Sequence, residues 1–311
     1  MKAINLITVT GPTASGKTTF AAHLASELGA EIISADSRQV YRGMDLGTGK
    51  DYDDYVVNGA QVPYHLIDIH DAGYKYNVYE FQQDFFDVFS EIQKRRTIPM
   101  LVGGTGMYIE AVTKGYKLVP VPENSQLRTS LKEKSLEELV SILAEKDRAL
   151  HNTTDTKHRK RTIRAIEIAT YYEENDQMDR ELPEIKQLLM GVKFDRESRR
   201  KRISERLRAR LKEGMVEEVE TLLKTVPAED LIFYGLEYKF ITLYLTGELT
   251  KEEMTKKLEI AIHQFAKRQM TWFRKMEREG TKIHWLDGHL PLQEKLNKAR
   301  TLLDQYSIRF N

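Results

Sequence analysis

The feature that most constrains this chain is an octapeptide near its start, Gly11 to Thr18, with the sequence Gly-Pro-Thr-Ala-Ser-Gly-Lys-Thr. It has the G-x-x-x-x-G-K-[ST] spacing of a phosphate-binding loop. The motif requires a strand before it and a helix after it, and Ile4 to Val9 and Thr18 to Leu28 predict both. Glycines let such a loop turn tightly, so that its N–H groups and the helix N-terminus point at an anion.

The whole loop is therefore predicted to bind phosphate, through Gly11, Pro12, Thr13, Ala14, Ser15, Gly16, Lys17 and Thr18. Lys17 would supply a positive charge, and Thr18 would supply a hydroxyl ligand for Mg²⁺. The pattern predicts a phosphate site without specifying a nucleotide, because a diphosphate on any carrier would fit the same amides.

Strand and helix patterns alternate after the loop. Apolar residues at helical spacing predict a helix over Tyr79 to Gln93. The predicted strands are Glu31 to Ser34, part of Pro63 to Ile69, Ile98 to Val102, Gln187 to Phe194 and a last short one at Ile283 to Leu286. The fold class is therefore α/β: a P-loop NTPase-like parallel sheet flanked by helices, with its site at the carboxyl ends of the strands.

A helical insertion is predicted to interrupt this core. The break Val119-Pro120-Val121-Pro122 precedes a polar, helical stretch, and Pro183 follows it. We assign residues 1–122 and 183–311 to the catalytic core, with a helical C-terminal part from Arg196 onward. Residues 123–182 form the predicted insertion domain.

Composition narrows the class of protein. The 311 residues include no cysteine, which excludes disulfides and zinc-binding cysteine clusters and fits a cytoplasmic protein. The first residues run straight into a strand, so we expect neither a signal peptide nor a membrane helix. The histidines are scattered, and we expect no metal site made of protein side chains alone. The formal net charge is only +1, so any basic surface must be segregated.

Two polar residues follow predicted strands. Asp36 could hold Mg²⁺ through water or accept a proton from a substrate, or it could only cap local backbone. Thr105 lies in a Gly-Gly-Thr-Gly turn, where glycines allow a ligand to approach the backbone; alternatively, it caps the next helix.

Three segments are rich in basic residues. Lys157 to Arg164 and Arg196 to Lys212 could be solvated helix faces, but their density favours an anionic partner, most simply nucleic acid. The third segment, His263 to Arg274, mixes bases with aromatic residues. Its aromatic rings could stack on RNA, or Trp272 and Phe273 could belong to the core.

Taken together, these segments resemble the bacterial tRNA dimethylallyltransferase (tRNA isopentenyltransferase) family, nearly from end to end. The resemblance rests on five stretches in order: Gly11 to Thr18 (GPTASGKT), Asp36 to Thr48 (DSxQVYxGMDIGT), Leu101 to Tyr108 (LVGGTxxY), Arg161 to Glu167 (QRxxRALE) and Ala266 to Arg274 (AKRQxTWLR). The chain departs from the family at Lys160, at His263-Gln264 and at Leu236 to Lys239, all in stretches that the family uses against tRNA.

The resemblance implies a reaction. Dimethylallyl diphosphate would donate its prenyl group to N6 of adenine-37 in the anticodon loop of tRNA, with Mg²⁺ near Thr18 and release of diphosphate. Catalytic roles would fall to Asp36 as proton acceptor, Thr105 as an orienting group and Arg206 as part of the diphosphate clamp. The implied tRNA-binding residues are Asp36, Ser37, Arg38, Gln39, Thr105, Arg128, Arg161, Arg164, Lys267 and Arg268. We expect a monomer.

Two other functions remain open from the residues alone. A small-molecule kinase that uses ATP would explain the phosphate loop but would leave the basic insertion without a purpose. A non-catalytic RNA-binding NTPase would explain the basic segments but not Asp36 and Thr105 at two strand ends.

Overall fold

The computed structural model describes residues 2–146, 155–175 and 181–310. It divides the chain into two compact units, which we call the core unit (Met1–Tyr116 and Leu182–Asn311) and the insertion unit (Lys117–Glu181). The sequence placed the limits of the insertion at residues 123 and 182. Parts of the predicted insertion, residues 147–154 and 176–180, lie outside the described residues.

The strands all belong to the core unit. They are β1 (Lys2–Ile4), β2 (Leu6–Thr10), β3 (Ala30–Ser34), β4 (Val56–Val57), β5 (Ala60–Gln61), β6 (Tyr64–His65), β7 (Ile98–Gly103), β8 (Gln187–Lys193), β9 (His284–Asp287) and β10 (Tyr306–Ile308).

Six of these strands form one parallel sheet in the order β6-β3-β7-β2-β8-β9. The predicted parallel α/β core is thus confirmed. Strand β2 lies between β7 and β8, and β3 lies on the other side of β7. Because parallel strands end at the same edge of a sheet, the segments that follow β2, β3 and β7 come together there.

The helices of the core unit are α1 (Lys17–Leu28), α2 (Val78–Lys94), α3 (Gly106–Thr113), α7 (Arg196–Lys212), α8 (Met215–Leu222), α9 (Ala228–Phe233), α10 (Leu236–Leu245), α11 (Lys251–Arg278) and α12 (Leu292–Leu303); those of the insertion unit are α4 (Ser125–Ser130), α5 (Leu136–Lys146) and α6 (Arg159–Glu174). Helices α2 and α11 each begin with a capping box, formed by Asn77 with Glu80 and by Thr250 with Glu253. No helix in the described ranges is long and apolar enough to cross a membrane.

The sheet is buried on both faces because its strands are apolar at successive positions. Ile33 and Leu101 belong to a cluster that also contains Phe81 of α2 and Phe273 of α11. Their chain neighbours, such as Ile32, point to the opposite face, where the second cluster contains residues of α1. Helices therefore cover both faces and leave the carboxyl edge of the sheet free for a site.

The insertion unit has a small core of its own, around Leu131, Leu139, Leu143 and Ile166. Its α5 and α6 pack together, and the buried Glu167 accepts hydrogen bonds from Arg128 at 2.7 and 2.8 Å and from Arg164 at 3.1 Å. The helical character predicted for this segment is found in α4, α5 and α6 of its described residues.

Two details differ from the sequence-based expectation. The strand predicted over Ile4 to Val9 is broken at Asn5, whose side chain bonds the backbone of Glu184 and Lys186 at 2.8 Å each. The segment from Arg196 onward is predicted to be mostly helical, but near its end it forms the strand β10, which pairs with β1.

Candidate active site

The phosphate-binding loop lies between the end of β2 and the start of α1, as its motif predicts. Ala14 and Gly16 have φ angles of 60° and 73°, and Ser15 N donates to Pro12 O at 3.3 Å, so the chain reverses here. A Cβ on Gly11 would lie 2.5 Å from Val192 O, which restricts this position to glycine. The loop backbone lines a cleft of about 750 Å³.

Lys17 is the first residue of α1 and lines the same cleft. Within the described residues, its ammonium group has no hydrogen-bond or ion-pair partner. Burial lowers the pKa of Lys17 from 10.5 to about 8, although Asp36 and Asp51 act in the opposite direction and Arg206 adds to the lowering. A desolvated ammonium without a partner favours the binding of an anion beside it.

Asp36 and Thr105 come together because β3 and β7 are paired, with Ser34 opposite Val102. Thr105 Oγ1 accepts from Ser37 N at 3.4 Å. Thr105 stands at the N-cap position of α3, but its side chain makes no capping hydrogen bond, so the role of this side chain towards a ligand stays a prediction. A Cβ on Gly103 would lie 2.3 Å from Ala35 O, so this close approach of the two turns needs a glycine.

Asp36 makes the local backbone contact that the sequence allowed, and its role towards a metal or a proton stays a prediction. Its Oδ1 accepts from Arg38 N at 2.9 Å, which fixes the carboxylate in a local turn. Its second oxygen has no hydrogen-bond partner in the described part of the chain. Asp36 lines the same cleft as Lys17 and Thr18, so this second oxygen is available for a proton or for solvent around a metal.

The structure distinguishes two arginines that the sequence could not separate. Arg202 is used locally: its Nε donates to Ala14 O at 3.0 Å, and its guanidinium lies 4.5 Å from the ring centroid of Phe194. Arg206 lies 3.4 Å from Asp51, which also pairs with Arg210 at 2.6 Å. Arg206 is therefore held beside the cleft by a carboxylate that it shares with Arg210.

The sequence does not single out Gln269 on α11, yet this side chain joins the phosphate-binding loop to the turn that carries Thr105. Its Oε1 accepts from Thr13 N at 2.9 Å, and its Nε2 donates to Gly104 O at 3.1 Å. Since these contacts span most of the chain, only the position of this glutamine next to Lys267-Arg268 in the AKRQ stretch could have pointed to it.

Apolar side chains form another part of the cleft wall. Phe233 and Phe265 are 51% and 40% exposed, which is unusual for phenylalanine, and both line the cleft. Arg38 lies 5.4 Å from the centroid of the Phe233 ring. The cleft therefore combines groups suited to an anion with a wall suited to an apolar or aromatic group.

Glu237 is a further carboxyl group of the cleft, beside Asp36, Asp51, Asp54 and Glu205, and it lies in a stretch where the chain departs from the family pattern. Burial raises its pKa to about 7, and Arg206 and Arg210 limit the increase. The sequence does not predict Glu237 as a residue of the site.

The predicted tRNA-binding residues are divided among several environments. Asp36, Ser37, Arg38, Thr105 and Arg268 line the cleft. Gln39 also borders it, but this side chain is 9% exposed and is used internally, with Ser34 Oγ at 3.1 Å and Gly49 O at 3.2 Å. Lys267, although adjacent to Arg268, lines a different groove.

The three predicted arginines of the insertion unit also differ. Arg128 is bound to Glu167 and to Glu123, the latter at 2.8 Å, which gives it a structural role within that unit. Arg164 donates to Val121 O at 2.7 Å as well as to Glu167. Arg161 is exposed, and its side chain has no hydrogen-bond or ion-pair partner among the residues described. RNA contact by these residues stays a prediction.

A magnesium ion would find oxygen ligands but no preformed cage. The Thr18 hydroxyl borders the cleft and has no hydrogen-bond partner within the described chain, so it is free to coordinate a metal. No cluster of three His, Cys, Asp or Glu side chains suited to a metal was found in the ranges described. Thr18 together with substrate oxygens and water fits the hard, oxygen-rich coordination of Mg²⁺.

Comparison with known sequences identifies matching family models and relatives over nearly the whole chain. Residues 39–276 match the sequence model described as IPP transferase, and residues 4–63 match that of isopentenyl transferase. The chain is 61% identical over 305 residues to tRNA dimethylallyltransferase 1 of Parabacteroides distasonis, covering 98% of this chain and 99% of the relative. It is 58% identical over 303 residues to tRNA dimethylallyltransferase 2 of a Bacteroides fragilis strain, covering 97% and 99%.

Solved structures show the same architecture. A full-length tRNA isopentenylpyrophosphate transferase from Bacillus halodurans superposes with a TM-score of 0.69 at 29% identity, over 97% of this chain and 96% of that one. A eukaryotic dimethylallyltransferase acting on tRNA gives a TM-score of 0.72 at 20% identity, over 99% and 81%, and at that identity the similarity concerns the fold alone.

Proposed function

The chain belongs to the IPP transferase family, and we propose that its cleft transfers a dimethylallyl group from dimethylallyl diphosphate to tRNA. The acceptor in this proposal is N6 of adenine-37 in the anticodon loop, and diphosphate is the leaving group. The observation that carries the proposal is one cleft that combines an anion-binding loop, an apolar wall and the carboxylate of Asp36.

The loop would hold the diphosphate. Residues Thr13 to Thr18, including Lys17, line the cleft, and Arg206 lies at its side. Negative charge increases on the diphosphate as its C–O bond to the prenyl group breaks. Positive groups that are already in place therefore stabilise the transition state more than the bound substrate.

Asp36 would accept the proton. The lone pair of an exocyclic adenine amine is delocalised into the ring, so attack on the allylic carbon leaves a cationic nitrogen. As the new N–C bond forms, the N6 proton passes to the free oxygen of Asp36, and the electron pair of the broken C–O bond leaves with diphosphate. Thr105 Oγ1, next to Ser37, would orient the base or the leaving oxygen.

Mg²⁺ is part of the proposal, with the Thr18 hydroxyl as its protein ligand. When bound, the ion neutralises charge on the diphosphate oxygens. Lys17 and Arg206 would also neutralise charge on the diphosphate.

The substrate tRNA would be held by basic side chains while adenine-37 leaves its stack to enter the cleft. In the core unit these are Arg38 and Arg268, which line the cleft, and Lys267 in the neighbouring groove. In the insertion unit, Arg161 is the exposed candidate, whereas Arg128 and Arg164 would act mainly by holding Glu167 and the segment around Val121 in place.

The proposal also covers the oligomeric state of the protein and its location in the cell. We propose a monomeric cytoplasmic enzyme, since every group assigned to the prenyl transfer comes from one chain and the chain has no cysteine.

The test is to incubate the protein with unmodified tRNA and either labelled dimethylallyl diphosphate or ATP labelled on its terminal phosphate. We expect the prenyl label in RNA and no phosphate label in RNA or in a small molecule. Phosphate transfer from ATP without prenyl transfer would favour the kinase alternative. Binding of RNA with neither transfer would favour a non-catalytic NTPase.

A further inference from the structure

A loop of residues 45–51, between β3 and β4, forms part of the cleft wall, and we call it the wall loop. The residues of this loop that line the cleft are Gly47, Thr48, Gly49 and Asp51. The loop also contacts Arg206 in two ways: Asp51 Oδ2 accepts from Arg206 Nη2 at 3.4 Å, and a Cβ on Gly49 would overlap that same nitrogen. The position of the Arg206 guanidinium therefore depends on where the backbone of the wall loop lies.

Glu218 of α8 holds the start of the wall loop by its backbone N–H groups. Its Oε2 accepts from Asp45 N at 2.9 Å and from Leu46 N at 2.7 Å, and its Oε1 accepts from Gly47 N at 3.1 Å. Consecutive N–H groups that converge on one anion form a backbone nest, and hydrogen bonds to a carboxylate are stronger than those to a neutral oxygen. The protein therefore fills this nest with a carboxylate of its own.

Tyr238 of α10 completes the surroundings of this carboxylate. Its hydroxyl donates to Glu218 Oε1 at 2.7 Å, and its ring lies so close to Gly47 that a Cβ there would be 2.6 Å from the ring carbon Cζ. Tyr238 is buried, and no lysine, arginine or histidine in the described part of the chain forms an ion pair with Glu218. The carboxylate therefore serves the wall loop and not a surface ion pair.

Arg210 of α7 attaches the wall loop a second time, through its carbonyl and carboxylate oxygens. It donates to Leu46 O and to Asp51 Oδ1, the latter at 2.6 Å. The N–H group and the carbonyl group of Leu46 are thus held by different helices. Loss of Glu218 would free one of these two attachments, and the displacement would reach Gly49 and Asp51 because they follow in the same short loop.

We propose that Glu218 is a positioning residue for the diphosphate site: it fixes the wall loop, and through Gly49 and Asp51 it fixes the guanidinium of Arg206. This inference rests on the proposed function, in which Arg206 binds the diphosphate. Glu218 does not itself line the cleft. A guanidinium that is oriented before the anion arrives loses less side-chain entropy on binding, so the wall loop raises affinity by preorganisation.

The test is a double-mutant cycle between Glu218→Gln and Arg206→Gln, with the dissociation constant for inorganic diphosphate and Mg²⁺ measured by calorimetry. Glutamine keeps the size of Glu218 but replaces one oxygen with an NH₂ group, so at least one N–H of the wall loop loses its acceptor. The matched control is Glu217→Gln on the same helix, because Glu217 is exposed and its carboxylate has no hydrogen-bond or ion-pair partner among the residues described. Single-turnover prenyl transfer to unmodified tRNA is measured with the same proteins.

Glu218→Gln is expected to weaken diphosphate binding by about tenfold, the size of one lost hydrogen bond to a charged group. Glu217→Gln should change it by less than about twofold. Because Glu218 acts through Arg206, adding Glu218→Gln to Arg206→Gln should weaken binding no further. A role in stability alone would make the two losses multiply.

Tyr238→Phe serves as the second variant if Glu218→Gln does not fold. It removes one donor to the carboxylate of Glu218 and keeps the buried ring. We expect about threefold weaker diphosphate binding, and this loss should likewise disappear in the Arg206→Gln background.

Losses that multiply in the cycle would overturn the inference, and so would equal effects of Glu218→Gln and Glu217→Gln. Absence of diphosphate binding by the wild-type protein would also overturn it. If the cycle shows the expected coupling but no prenyl group reaches tRNA, the inference stands and the proposed function fails. If prenyl transfer occurs without the coupling, the proposed function stands and the inference fails.

Discussion

Replacing Lys17 with methionine is expected to make the free protein more stable while it abolishes affinity for diphosphate. Lys17 carries a charge that the fold partly buries without a partner in the described residues, and this burial lowers its pKa from 10.5 to about 8. At 1.36 kcal/mol for each tenfold change, that difference corresponds to at most about 3.4 kcal/mol against the charged form. Methionine keeps the length and the helix propensity without the charge.

The sign of the pH dependence follows from proton linkage. Between pH 8 and 10.5 the unfolded chain holds a proton on this lysine that the folded chain has lost, so wild-type stability rises with pH through that window. Below pH 8 this lysine is protonated in both the folded and the unfolded chain, so the free-energy penalty for burying its charge is constant. The advantage of Lys17→Met should therefore be largest at pH 7 and should vanish above about pH 10.5.

Lys50 provides the contrasting control. It is also buried, but it bonds Asp45 at 2.9 Å and pairs with Asp68. Lys50→Met leaves two partly exposed carboxylates without their cation and should therefore destabilise the core unit, the opposite sign to Lys17→Met.

The assay is urea unfolding at several pH values, followed by tryptophan fluorescence. The two tryptophans, Trp272 and Trp285, both lie in the core unit and so report on it alone. Adding inorganic diphosphate with Mg²⁺ at about a hundred times the wild-type dissociation constant should stabilise the wild type by about 2.7 kcal/mol and Lys17→Met not at all. A variant less stable than the wild type at pH 7, or one still stabilised by diphosphate, would refute the reasoning.

Three further predictions follow from the site. Asp36→Asn should lower the single-turnover rate by about 10²- to 10⁴-fold with modest changes in donor and tRNA affinity; a loss of donor affinity that added Mg²⁺ restores would instead assign Asp36 to the metal. Arg161→Gln should reduce the salt slope of tRNA binding by about one, without loss of stability, because its side chain is exposed; an unchanged slope would leave Arg161 as a solvated residue. Gln269→Leu should weaken donor binding because it removes the bridge between Thr13 and Gly104; unchanged donor affinity would show that the loop holds its shape without the bridge.

Local patterns predicted the elements of the sheet well. The segments around β2, β3, β7 and β8 have apolar runs bounded by turn residues, and their parallel pairing follows from the alternation with helices. The short strands β1 and β10 could not be predicted, since three residues carry no measurable periodicity and each depends on the other for its hydrogen bonds.

The site was predictable where it depends on residues close in sequence, as in the loop and in the turns that carry Asp36 and Thr105. It was not predictable where distant segments meet. The Gln269 contacts and the Asp51–Arg206 pair join residues separated by more than a hundred positions. The separation of Lys267 from Arg268 depends on how α11 packs, because adjacent helical residues point in directions about 100° apart.

Nucleoside mass spectrometry of the reacted tRNA tests the central claim most directly. The protein, Mg²⁺, dimethylallyl diphosphate and an unmodified tRNA with adenine at position 37 are combined, and the RNA is then digested and sequenced by mass. We predict that adenosine-37 is heavier by one isopentenyl unit on N6, with one diphosphate released for each modified nucleoside, and that Lys17→Met gives neither product. Modification at another nucleotide, or phosphate rather than prenyl transfer, would contradict the account.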